Sequence, residues 1–263
     1  MQLDLVGELR KKCKVCGMEY IPSNSEDALL HRKFHAMNIG GVDFTKAFVE
    51  RIRQNQIWEG SDGGFIVVVG RKDMLALRNK ASEVLKVVNT ELAAVTISDQ
   101  ELWSQLRVPV LLKTATHDRT HVPAKGNSFS ISDRFKAYLY IKGQKCVGAC
   151  LAERIRMAYA VLDQDDAAKH AGRVPTPVGE FQDSISIGTE EKPAILGISR
   201  IWTSNLHRKA GIATRLLDSA RVDFLYGMTI EKEQIAFSQP TGSGGELARK
   251  WFGRRAGWYV YID

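Results

Sequence analysis

No run of 18 apolar residues occurs in the chain, so no membrane-spanning helix is expected. The first residues, MQLDLVGELRKK, lack the apolar core of a signal peptide, and secretion is not expected. Cysteine is sparse: Cys13, Cys16, Cys146 and Cys150 are the only four in 263 residues. In a chain of this length, with no leader, that count excludes a disulfide framework and points to a reducing compartment. Acidic charge is not in excess, because 37 Lys and Arg against 30 Asp and Glu leave a formal +7. That balance permits nucleic acid or an acidic partner and selects neither. The remainder, 44% hydrophobic and 25% charged, is ordinary for a globular protein with one large domain, or a large one and a small one.

The most informative stretch runs from Ile198 to Ala220. A β-branched run (Ile195, Leu196, Ile198, Ile201) leads into a polar, basic turn from Ser204 to Lys209. A helix follows, with Ile212, Leu216 and Leu217 at helical spacing. The turn reads Arg208-x-x-Gly211-x-Ala213. A strand, a basic turn and a helix start aim backbone N–H groups and the positive end of the helix dipole into one small space, which suits a diphosphate. Gly211 would let the phosphate reach the backbone. The spacing R/Q-x-x-G-x-G/A resembles the acetyl-CoA signature of GNAT acetyltransferases. The alternative reading is a helix start with a small residue at a packing contact.

The second signal is Cys13-x2-Cys16-x14-His31-x3-His35. Zinc needs four soft or borderline ligands converging tetrahedrally. The CxxC knuckle offers two thiolates from one turn, with Gly17 just after it. His31 and His35, four apart, share one face of a helix that starts at Asn24 to Glu26. Tyr20, Leu29 and Phe34 are expected to form the small core. So short a unit folds only with the metal's help. Its helix start, Ser23 to Ala28, is acidic where a DNA-reading finger would contact bases. A structural or protein-contacting finger is therefore expected over a DNA-binding one. His117-x3-His121 is a rival pair without a CxxC and reads as loop histidines.

Along the rest of the chain, Gln2-x-x-Leu5 faintly resembles a clamp-binding peptide but lacks its paired aromatics. Residues 1–40 read as the finger with a polar lead, 41–60 as a linker or docking segment, and 61–263 as the main domain with insertions near 98–134 and 159–193. Phe65–Val69 reads as a buried strand. A helix capped by Asp73 runs to about Ala93. A short strand is expected near Val110–Leu112. Phe135–Ile141 and Lys145–Ala152 form a hairpin around Gly143-Gln144, which puts Cys146 and Cys150 on one strand face. Ile235–Phe237 is a strand, Ser238–Gly245 a glycine-rich turn, Glu246–Phe252 a helix and Trp258–Ile262 a last strand.

This order of elements is that of a GNAT fold: α+β, with a mixed central sheet between helices, here behind a small two-Cys/two-His zinc finger. The wording CKVCGMEY…EDALLHRKFH, GISRIW, RKAGIATRLLD, AFSQPTGSGG and YVYI, in that order, resembles the cohesin acetyltransferases of the establishment-of-cohesion type. The resemblance covers roughly 13–40 and most of 64–94 and 135–263. It implies a nuclear lysine N-acetyltransferase that uses acetyl-CoA, binds zinc and acetylates the SMC-type ATPase head of cohesin during S phase. It also implies self-acetylation and association with the replication sliding clamp.

For cofactor binding, the backbone N–H groups of Lys209, Ala210, Gly211, Ile212 and Ala213 are expected to take the diphosphate, helped by the charge of Arg208. Ile201, Trp202 and Thr203 are expected to pair with the pantetheine. The resemblance directs proton transfer to Asp218, with Ser199 positioning the substrate or protonating the thiolate. Alternatives stand beside both: a solvent-facing Asp218 paired with Arg215 or Arg221, and a half-buried strand hydroxyl at Ser199. Animal relatives carry an aspartate where this chain has Gln239, so a two-carboxylate mechanism is in doubt, and Gln239 is left to orient the substrate. The trio Asp163, Asp165 and Asp166 reads as a solvated acidic loop. Two other function classes remain: a zinc-dependent nucleic-acid module on a basic scaffold, and a CoA-binding regulator without catalysis.

Overall fold

The computed structural model describes residues 10–109, 129–163 and 186–262. It opens with a ribbon of β1 (Lys11–Lys12) and β2 (Glu19–Tyr20), then α1 (Ser25–Gly40), β3 (Val42–Asp43), α2 (Lys46–Ile52) and β4 (Gln56–Glu59). Next come β5 (Phe65–Val69), α3 (Leu75–Glu91), α4 (Asp99–Leu102), β6 (Gln105–Pro109) and β7 (Phe129–Asp133). The long strands β8 (Phe135–Lys142) and β9 (Lys145–Arg154) precede β10 (Met157–Val161), β11 (Ile187–Pro193) and β12 (Leu196–Thr203). The chain ends with α5 (Ile212–Asp223), β13 (Ile235–Ser238), α6 (Gly242–Phe252) and β14 (Tyr259–Tyr261). The strand expected at Val110–Leu112, the pair His117 and His121, Asp165, Asp166 and the Gln2–Leu5 segment lie outside the described residues.

Nine strands form one path, β11-β10-β14-β13-β12-β9-β8-β5-β4, and β3 adds to β9. Only β12–β13 and β13–β14 are parallel; the other pairings are antiparallel. One face packs on α3 and on the finger helix, in a core that includes Phe34, Leu77, Val84, Val88, Leu139 and Trp202. The other packs on α5 and α6 through Ile198, Leu216, Leu217, Phe237, Trp251 and Trp258. This is the mixed sheet between helices that the sequence implied.

Local chemistry explains where the elements depart from expectation. Asp73 does not cap α3: its carboxylate accepts from the Gly70 N–H at 2.8 Å, and Met74 precedes the helix without a side-chain cap. Residues 242–245 are not a loop but the first turn of α6, which is capped by the Thr241 hydroxyl. Cys146 and Cys150 lie on opposite faces of the sheet, the first in the α3-side core and the second in the α5-side core. The cause is a bulge. Tyr140 pairs with Gly148 and Ile141 with Cys146, so Val147 is one residue extra and the alternation slips.

The stretch 41–60 is built into the sheet, since β3 pairs with β9 and β4 with β5. Gly41 makes that entry possible. Its φ is 96°, and a Cβ there would stand 2.6 Å from the Cys146 carbonyl oxygen. The end of α1 is thereby seated against the start of β9.

Candidate metal centre and cofactor cleft

The metal centre follows from two local structures. Gly17, at φ 73°, closes the knuckle with its N–H on the Cys13 carbonyl at 2.9 Å, and the Cys13 N–H returns to Met18 O at 2.9 Å. Asn24 caps α1 by accepting from the Glu26 and Asp27 N–H groups, and this fixes the phase that brings His31 and His35 round to the thiols. The ligand atoms of Cys13, Cys16, His31 and His35 all lie within 4.8 Å of one another. Zinc bonds of 2.0–2.3 Å set ligand atoms roughly 3.3–3.8 Å apart, so the cluster needs only a small contraction. Cys13 Sγ is already 3.5 Å from His35 Nδ1. His31 Nε2 is buried with no hydrogen-bond partner, as a ligand nitrogen awaiting a cation would be. The His31 ring is stacked on Tyr20 at 3.8 Å, which fixes its plane. The donor set fits zinc.

Tyr20 and Phe34 serve the finger as expected, but Leu29 does not. It is 62% exposed, and Cys16, Met18 and Met37 fill the place assigned to it. Thiol chemistry separates Cys13 from the other three cysteines, since burial raises Cys16 as well, but Cys16 shares the metal knuckle and is exposed with it on chelation. The backbone N–H of Cys16 lowers the Cys13 thiol to about 6, whereas burial pushes Cys146 up to about 12 and Cys150 higher still. A disulfide-exchange reagent should therefore titrate no thiol in the zinc-loaded chain, two after chelation and four after denaturation. Four reactive thiols in the native chelated chain would show that the sheet has opened.

The cleft is set by strand pairing. β12 pairs with β9 along its length, from Leu196 to Thr203, but with β13 only at Leu196, Gly197 and Ile198. Beyond Ile198 the two parallel strands part, leaving the β12 edge from Ser199 to Thr203 without a strand partner on that side among the described residues. Ser199 sits at the fork and is itself a bulge residue: Ile198 pairs with Ala152 and Arg200 with Leu151, so Ser199 is the one residue with no opposite number. Such bulges re-aim side chains. Ser199 is 5% exposed and accepts from the Arg200 guanidinium at Oγ (3.2 Å) and at its carbonyl (2.7 Å). At the end of the same edge, Thr203 Oγ1 is buried without a partner.

After Thr203 the chain makes a short 3₁₀ turn, Asn205–His207, and reaches Gly211 as the residue before α5. The Ser204 hydroxyl lies 2.9 Å from His207 Nδ1, and burial lowers the His207 pKa below its ordinary value. Lys209 has φ 61° and Gly211 φ 78°, so the backbone bends sharply into the helix. No side chain caps the α5 N-terminus. Its first N–H groups are therefore available to an anion. A Cβ on Gly211 would meet only Arg215 Nε, at 3.9 Å. Among the described residues nothing crowds that position, and the packing-contact alternative for Gly211 does not hold. The close contact lies elsewhere: a Cβ on Gly148 of β9 would stand 2.6 Å from Ile212 Cγ2, so Gly148 lets α5 settle on the sheet.

The proposed site residues are distributed around this fork. Arg208 does not face the open space alone; its guanidinium is ion-paired with Glu91, and its Nε donates to the Thr203 carbonyl at 3.3 Å. Trp202 is buried against α3 and donates to the same Glu91. Arg215, considered from the sequence only as a partner for Asp218, lies over the Trp58 ring at 4.8 Å and has its Nε beside Gly211. Gln239, at φ 26°, follows directly on β13 and comes two residues after Phe237, the partner of Ile198. Register thus puts Ser199 and Gln239 at the same fork. Asp218 is exposed on α5, and its Oδ1 accepts from Trp251 Nε1 at 2.8 Å. Arg221 donates instead to the Ile230 carbonyl at 2.7 Å, so the arginine pairing considered for Asp218 is not the one formed.

A splayed strand pair opening on an uncapped helix, behind a two-Cys/two-His knuckle, is the layout of an N-acetyltransferase fold carrying a zinc finger. Two family models match, the ESCO1/2 acetyl-transferase over residues 192–261 and the zinc-finger of acetyl-transferase ESCO over 1–37. The chain is 32% identical over 241 residues to N-acetyltransferase eso1 of Schizosaccharomyces pombe, covering 91% of this chain and 23% of that protein. It is 28% identical over 258 residues to N-acetyltransferase ECO1 of Yarrowia lipolytica, covering 96% and 71%. The xEco2 acetyltransferase domain, solved bound to a CoA conjugate, superposes with a TM-score of 0.56 at 30% identity, over 79% of this chain and 96% of that one. The chain belongs to the ESCO family of acetyl-transferases. It spans about a quarter of the length of eso1 and a third of that of N-acetyltransferase ESCO2 of Mus musculus.

Proposed function

We propose that the protein is a nuclear, acetyl-CoA-dependent lysine N-acetyltransferase whose substrate is the SMC-type ATPase head of cohesin, acetylated to establish sister-chromatid cohesion in S phase. The observation that carries the reading is the parting of β12 from β13 after Ile198, with the free strand edge leading to the uncapped N-terminus at Gly211. The CoA conjugate held by the xEco2 domain supports it.

Acetyl-CoA supplies an acyl group activated as a thioester. The N–H groups from Lys209 to Ala213 hold the diphosphate, and Arg215 lends charge beside them. Main-chain groups of Ile201 to Thr203 pair with the pantetheine arm, and their amides face the oxygen on which negative charge grows. A free lysine is almost wholly ammonium at pH 7, so the site must first take a proton from it. Asp218 accepts that proton, and the amine nitrogen bonds to the thioester carbonyl carbon as its C–S bond breaks. The proton shed by that nitrogen returns to the leaving thiolate by way of Ser199, which also orients the reacting groups. Gln239 holds the incoming lysine by hydrogen bonding.

Asp218→Asn keeps the Oδ1 that accepts from Trp251, and so keeps the helix contact. It should slow acetyl transfer to a cohesin-head peptide about 100-fold while leaving acetyl-CoA affinity within twofold. Unchanged turnover would remove Asp218 from the mechanism. Binding without any transfer by the native chain would favour a CoA-binding regulator. The nucleic-acid reading finds no support in α1, whose first turn carries Glu26 and Asp27.

A further inference from the structure

A largely buried carboxylate with no place in the transfer chemistry ends α3. Glu91 is the last residue of that helix, where the dipole disfavours negative charge, and only 15% of its side chain is exposed. It is held by three donors remote in sequence: Asn38 Nδ2 from the finger helix, Trp202 Nε1 from β12 and the Arg208 guanidinium from the turn. Asn38 is fully buried. It lies three residues beyond His35 on α1, and its Oδ1 accepts from Asn205 Nδ2 at 2.9 Å. The finger helix thus touches both the carboxylate that anchors Arg208 and the turn itself.

We infer that the zinc finger is a working part of the acetyl-CoA site: the metal fixes α1, and Asn38 and Glu91 carry that order into residues 204–211 as positioning residues. This rests on the acetyl-CoA reading above. Apart from this network, the turn is held at its start by the Ser204 N–H on the Val147 carbonyl at 2.9 Å, internally by the His207 N–H on the Ser204 carbonyl at 2.9 Å and the Ser204–His207 side-chain contact, and at Arg208 by Nε on Thr203. If α1 shifts, Asn205 loses its acceptor and Glu91 one donor, both partly buried beside the fully buried Asn38, where unmade hydrogen bonds are costly. The turn then samples other conformations, and the ordering cost falls on the ligand.

The test is calorimetric titration of acetyl-CoA into the full chain, zinc-loaded and after chelation, with far-UV circular dichroism as a check on the sheet. Chelation should weaken binding about tenfold. Asn38→Ala should bind as weakly with zinc as the native chain does without it, and chelation should then change nothing further. Glu91→Gln, which retains an acceptor for Trp202 but not the charge for Arg208, should raise KM for acetyl-CoA about tenfold with kcat within twofold. Native affinity indifferent to zinc, or an Asn38→Ala chain that still loses tenfold on chelation, overturns the inference. If chelation unfolds the sheet, the zinc-loaded Asn38→Ala chain decides alone: native affinity in a folded variant overturns the inference. No binding by the zinc-loaded native chain sinks the acetyl-CoA reading itself, whereas binding indifferent to zinc and to Asn38 sinks only the coupling.

Discussion

Gly211→Asp weakens acetyl-CoA binding more than 100-fold in a chain that remains folded, while Gly211→Asn costs less than tenfold. The left-handed conformation at this position, φ 78° and ψ 2°, is one that Asn and Asp adopt more readily than other side chains. The space a Cβ would enter is open, with Arg215 Nε at 3.9 Å as its only neighbour. Backbone strain and crowding are therefore similar in the two variants, and they differ by one negative charge. At about 5 Å from a diphosphate charge, with an effective dielectric near 20, that charge costs about 3 kcal/mol, or more than 100-fold in affinity. Titration calorimetry at two salt concentrations reads both quantities, and the penalty should shrink as salt rises. Equal affinities for the two variants, close to native, would mean that the α5 N-terminus does not receive the phosphates.

What the sequence made legible here was local. The knuckle, Asn24 as a cap, the Phe65–Val69 strand and the strand–turn–helix at 196–223 each rest on residues within one turn or strand of each other. The errors came from non-local pairing. Nothing in the order of residues 145–152 marks Val147 as an extra residue, because a bulge is defined by the partner strand; hence Cys146 and Cys150 were put on one face. Ser199 was found through its family wording, not through the bulge that aims it. Arg208 read as a phosphate cation because its partner Glu91 lies 117 residues away. One signal was available: a glutamate closing an amphipathic helix sits against the dipole and must find a cation or several donors. Asn38, a polar residue on the stripe shared by His31, Phe34 and His35, carried the same warning, since a buried amide needs partners.

Cys16→Ser should lose zinc and, with it, order in a graded way rather than throughout the finger. An isolated finger has almost no core, and zinc supplies on the order of 10 kcal/mol to such peptides. Here the finger shares a core with the main body: Cys16 and Phe34 belong to the same cluster as Val84, Val88 and Trp202. The Gly41 contact with β9 and the Asn38 network hold the far end of α1 without the metal. The knuckle and the ribbon touch that core mainly through the Cys16 and Met18 side chains, and among the described residues β1 and β2, two residues each, pair with one another alone. Amide exchange should therefore lose about 1000-fold protection over Cys13–Tyr20 but only about tenfold near Met37–Gly40. β8, β9 and β12 should keep theirs, and the main thermal transition should move by only about 5 °C. The modest loss at the end of α1 is also what weakens the cofactor turn, because Asn38 lies in that part of the helix. Uniform loss across residues 11–40 would make the finger an independent bead tethered to the main body. Retention of full protection without zinc would mean that the four ligands are held by packing and that the metal adds nothing to the fold.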